Sequence, residues 1–179
     1  MLLLLFACIS TKDTNATDDS VDSAAVDCTT LPGPSALSSG SYVVTIDSTV
    51  FNDCENQAGN GLHIHVGENQ LFEVEANGAC LTTQDSAGMQ MTGYEDGGAF
   101  LLDGFITLEI GTCTVGINAT MTGTMTGDGT FDYQMDATAD VYAEVVEGAC
   151  QYIIGETENH TFPALPCAQA WVGTGTLQR

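Results

Sequence analysis

The chain has 179 residues, 44 % of them hydrophobic. That suffices for one packed domain and is too little for two with a linker. It carries 24 acids against two bases, Lys12 and Arg179, for a net charge of −22, and residues 13–178 hold neither Lys nor Arg. Phosphate recognition is built from Lys and Arg, so nucleic-acid binding and electrostatic docking on anionic lipid are excluded, and anionic ligands in general are repelled.

The chain opens Met1-Leu-Leu-Leu-Leu-Phe-Ala-Cys8, a short apolar run ending in a small residue, as an export signal does. Leu5-Phe6-Ala7-Cys8 resembles the lipobox of bacterial lipoproteins. The resemblance implies that residues 1–7 are a signal remnant and that Cys8 carries lipid. It also implies an exported chain anchored in a membrane. Ile9 after the cysteine, rather than Asp, favours the outer membrane, facing the periplasm or the cell surface. Residues 8–27 are then a Ser-, Thr- and Asp-rich tether that buries too little apolar surface to order itself, and 28–179 are one domain. With Cys8 assigned to lipid, Cys28, Cys54, Cys80, Cys113, Cys150 and Cys167 remain. They are dispersed, without a Cys-x-x-Cys pair, and in an exported chain read as up to three disulfides of open connectivity.

Within the domain, period-two alternation dominates. Tyr42, Val44, Ile46 and Val50 mark one face of a strand over 41–51. Leu62, Ile64 and Val66 mark a second, and Phe72, Val74 and Ala76 a third. Residues 77–99 are Gly-rich and read as a long connection, and 100–110 as a more deeply buried strand. The clearest unit runs from Cys113 to Val146 and turns at Gly127-Asp128-Gly129. Its odd positions, among them Val115, Ile117, Met121, Phe131, Tyr133 and Met135, are apolar. Its even positions carry Thr120, Thr122, Thr124, Asp132, Asp136 and Asp140. A turn there sets Met125 opposite Phe131 and Gly123 opposite Tyr133, where a ring covers the space the glycine leaves. Trp171–Leu177 reads as the closing strand. The predicted fold is all-β, an antiparallel meander barrel or two-layer sandwich of about eight strands, stapled by disulfides.

One constellation carries chemistry. His63 and His65, in Gly-Leu-His-Ile-His, project from one strand face about 7 Å apart. A hairpin over residues 67–70 would bring Glu73, and in one register Glu75, beside them. His with carboxylate suits Zn or Cu. The five residues resemble the copper-ligand strand of copper–zinc superoxide dismutases, but that family's further histidines are missing downstream, where only His160 remains. The cupin spacing fails as well. Met89 and Met91 could add soft sulfur ligands, although methionine more often fills cores. Asp128, Asp132, Asp136 and Asp140 read as a solvated face without the calcium-loop pattern. No nucleophile motif or phosphate loop is present. The reading is a non-catalytic, lipid-anchored cell-envelope binding or surface module without a resident cofactor. Its partners would be divalent cations, an envelope protein or a glycan. The alternative is a Zn- or Cu-binding protein using His63, His65, Glu73 and Glu75.

Overall fold

The structure, a computed structural model, describes residues 27–31, 33, 35–54, 66–86, 88–110, 113–144 and 165–178. Eight strands follow in chain order: β1 (Gly40–Asn52), β2 (Asn69–Asn77), β3 (Cys80–Asp85), β4 (Gln90–Asp96), β5 (Ala99–Ile110), β6 (Cys113–Gly127), β7 (Thr130–Glu144) and β8 (Cys167–Leu177). Each pairs with the next, and β8 returns antiparallel onto β1, so the sheet closes as an up-and-down barrel. Closure removes both sheet edges, which a two-layer sandwich would have kept.

The 113–146 hairpin forms in the expected register, with Met125 opposite Phe131, Gly123 opposite Tyr133 and Thr120 opposite Asp136. Its turn is tight because Gly129 adopts a φ of 74° that a side chain would strain. The Gly-rich stretch 77–99 is not a connection. It holds β3 and β4, joined through Gly78 at φ 64° and Gly97 at φ 62° to their outer neighbours. Its glycines punctuate short strands, and Leu81, Met91 and Glu95 alternate inward between them.

The interior is filled by side chains, as an eight-stranded barrel allows. Phe131 lies at the centre, with ring centroids 5.5 Å from Tyr42, 5.2 Å from Phe100 and 6.3 Å from Tyr133. Rings this large fit because the facing positions are glycine. The Phe131 ring occupies the volume a Cβ at Gly175 would need, and the Phe100 ring does the same at Gly123. A Cβ at Gly173 would sit 2.7 Å from Tyr133 Cε1. The register therefore places Tyr133 beside Gly123, yet its ring lies over Gly173 on the next strand, and Phe100 covers Gly123 from the strand before. All three rings lean the same way around the barrel, a consequence of sheet twist that pairing alone does not give.

The chain ahead of β1 covers the end that carries the β2–β3 and β4–β5 turns. A short 3-10 turn at Cys28–Thr30 is capped by Asp27 and bonded to β3 through the Cys28–Cys80 disulfide. Leu37, 1 % exposed, plugs the core. At the opposite end, Cys54–Cys167 joins the exit of β1 to the entry of β8 across 113 residues of sequence. A bridge of this kind is worth about 2–5 kcal/mol. The Cys113 and Cys150 side chains lie outside the described residues.

Glu95 anchors the plug. Its carboxylate, 5 % exposed, accepts the amide of Ala36 and, at 2.6 Å, that of Gly98. Burial alone would raise its pKa, but hydrogen bonds from Ser35, Gly98, Ala36 and Leu37 outweigh burial and lower it. A group with a depressed folded pKa adds stability above its unfolded pKa and loses it as pH falls through the folded one. Replacement by Gln should cost about 1–3 kcal/mol at neutral pH. In paired urea titrations, the gap between wild type and Glu95→Gln should close below about pH 4. A gap independent of pH would show that the charge contributes nothing.

Candidate functional site

Because the interior is full, the concave surfaces lie outside. The larger is a groove of about 880 Å³ that crosses the outward faces of β4 to β8 and reaches β1. Outward alternation builds it. Tyr94 and Asp96 come from β4, Leu101 from β5, Thr122 and Thr124 from β6, Asp132 and Gln134 from β7, and Val172 and Thr174 from β8. Asp47 closes it at the β-bulge between Ile46 and Ser48, which bends β1 outward. Five inter-strand spacings give it a length of about 24 Å.

The lining is acceptor-rich. Asp96 and Asp132 make no side-chain hydrogen bond among the described residues. Those residues include no Lys, Arg or His, so no ion pair ties the groove's carboxylates down. Beneath the floor, Tyr133 is held in place by donating to Thr45 O at 3.4 Å and accepting from the Trp171 indole. Burial pushes its pKa up to about 12, with Asp47 adding to the rise against the Trp171 bond. It stays a neutral donor throughout the physiological range. The groove suits a ligand that brings hydrogen-bond donors and no anionic charge.

Of the sequence-predicted metal ligands, Glu73 and Glu75 lie on β2, outside the groove. Glu73 is exposed and accepts the Ser41 hydroxyl at 2.7 and 2.8 Å. Its cross-strand neighbours are Ser41 on β1 and Gln84 on β3, and Glu75 faces Thr82 on β3. The hairpin expected to bring Glu73 to the histidines is therefore not the pairing β2 makes: β1 and β3 flank it. His63 and His65 lie outside the described residues, and among those described no three metal-ligating side chains converge. Met91 is 1 % exposed in the core, so its sulfur is not free to bind, and Met89 is partly buried against the core. Asp132, Asp136 and Asp140 do line an outward face. Sequence reading missed Tyr94 and Asp96 because β4 was taken for connection. The signal was the alternation of Thr92, Tyr94 and Asp96 against Met91, Gly93 and Glu95.

Metal analysis of chain purified without a His-tag decides the histidine reading. A site at His63 and His65 would give near-stoichiometric Zn or Cu that His63→Ala/His65→Ala abolishes, and equal metal content in both would remove it. In comparisons with known proteins, no family model, curated protein or solved structure matches this chain.

Proposed function

We propose that the chain is a lipid-anchored, non-catalytic module of the cell envelope that binds its ligand on the outer face of the barrel. The observation that carries the reading is the groove across β4 to β8, set on a barrel whose interior is closed by its own side chains. Its lining mixes apolar groups such as Leu101 and Val172 with hydroxyls, carboxylates and one amide, which is binding chemistry without a paired nucleophile and base. The disulfides Cys28–Cys80 and Cys54–Cys167 fit an exported chain, since such bridges persist outside the reducing cytosol. The lipobox-like Leu5-Phe6-Ala7-Cys8 supplies the anchor, and residues 9–27 the tether. Asp103, Asp132 and Asp140 stand outward where a membrane-spanning barrel would carry an apolar band, so the acyl chains and not the strands would hold the membrane.

Two measurements test the reading. Cys8→Ser should move the protein from the membrane fraction to the soluble one, and absence of palmitate label on the wild type would sink the anchor. In the groove, Thr124→Arg with Gln134→Arg fills space with long side chains at exposed positions that folding tolerates. Binding to isolated envelopes should weaken roughly tenfold or more. Unchanged binding would show that the groove is not the contact surface.

A further inference from the structure

We propose that the outward face next to the groove binds a linear, uncharged glycan, laid across the strands between an aromatic platform of Phe105 and Tyr142 at one end and Phe51 at the other. The proposal rests on the outer-face reading above and gives that face its ligand class.

The aromatic groups come first. Phe105, Tyr142 and Phe51 are 46 %, 66 % and 43 % exposed, on a face that otherwise carries Thr, Asp and Asn. Phe105 and Tyr142 touch, with ring centroids 5.5 Å apart. Gly116 on β6 makes room for them: a Cβ there would lie 3.0 Å from Phe105 Cε2 and 3.3 Å from Tyr142 Cβ. The Phe105 ring therefore rests on the strand backbone, and Tyr142 is raised by the irregularity between Thr114 and Val115. A ring held in place before a ligand arrives loses little freedom on binding.

Between the aromatic ends runs a polar strip. In register, Asp103 faces Thr120 and Thr120 faces Asp136, and the fully buried Ala170 lies between Asp136 and Phe51. Alongside, Phe105 faces Asn118, and Asn118 faces Thr138. Four inter-strand spacings separate β5 from β1, about 19 Å along the surface. That matches an oligosaccharide of several units. A hollow of about 290 Å³ lies in the strip, bordered by Phe51, Asn118, Thr120, Asp136, Thr138 and Gln169.

The state of the polar groups selects the ligand. Asp103 already accepts Thr120 Oγ1 at 2.7 Å, and Asp136 accepts Gln134 Nε2 at 2.9 Å. Among the described residues, the Asn118 amide and the Thr138 hydroxyl have no side-chain partner, and the exposed Asp140 carboxylate beside Gly116 accepts only the adjacent Val141 amide. Neutral donors and acceptors between exposed rings complement hydroxyls and the C–H faces of sugar rings. A second copy of the chain, or an acidic polysaccharide, meets the repulsion of a chain at −22.

The full chain is titrated by calorimetry with oligomers of β-1,4-glucose, α-1,4-glucose and N-acetylated β-1,4-glucosamine, with a uronic-acid oligomer and with an oligolysine. At least one uncharged oligomer should bind, and the uronic-acid oligomer should not. Phe105→Ala/Tyr142→Ala, and separately Phe51→Ala, should weaken binding roughly tenfold or more without lowering the melting temperature. Leu71→Ala, exposed on β2 outside the strip, should leave it unchanged. Failure of every uncharged oligomer to bind, wild-type affinity in both aromatic variants, or tighter binding of the charged oligomers would overturn the proposal. If no glycan binds while the groove substitutions still weaken envelope binding, the glycan assignment falls and the outer-face reading stands. If neither effect is seen, both fall.

Discussion

The fit of large rings into the space left by strand glycines governs this barrel. Phe131 against Gly175, Phe100 against Gly123 and Tyr133 against Gly173 fill the interior from wall to wall. Filling has a functional consequence as well as a structural one. Barrels that bind inside leave their lumen open or line it with small groups, whereas here the rings occupy it. Under the proposed binding role, recognition would fall to the outward positions, which the same alternation loads with Thr, Asp, Asn and Gln. Overpacking sets the tolerance of the design: a methyl group at Gly175 would have to displace the ring at the centre of the core, at a cost of about 1–3 kcal/mol or more.

Charge is the second constraint. Without cations in the described region, carboxylates are met by hydroxyls and amides. Ser41 serves Glu73, Thr120 serves Asp103, Gln134 serves Asp136, and backbone amides serve Glu95 and Asp85. These neutral partners hold a carboxylate without cancelling its charge, so the surface keeps a strong negative potential. The potential narrows the range of ligands before any contact is made.

Much of the fold was legible in the sequence because the strands alternate cleanly. Phe131, Tyr133 and Met135 against Asp132, Gln134 and Asp136 fix both the hairpin and its faces. What stayed illegible was whatever depends on three dimensions beyond pairing. Short strands between glycines look like loop, so β3 and β4 were missed, and Tyr94 and Asp96 with them. The lean of the rings follows from twist, and barrel closure from the β1–β8 contact between the two ends of the domain. The histidine pair showed the reverse risk. Its chemistry was visible, but the partner strand proposed for it was not the one β2 takes. The exposed Phe105 resting on Gly116 needed two strands brought side by side before either residue meant anything.

The placement of the two bridges bears on mechanical load. Under the proposed anchoring and glycan binding, the domain would be pulled in two directions at once. Force applied from the N-terminal side would pass at Cys28 into β3 through a covalent bond and bypass the Ser35, Ala36 and Leu37 contacts of the plug. A barrel under tension opens most easily at the seam where its first and last strands meet. Here Cys54–Cys167 clamps that seam at its far end, and the β1–β8 hydrogen bonds must be sheared together instead of being peeled one at a time. The two bridges thus bear on how the domain would resist pulling as well as on its stability.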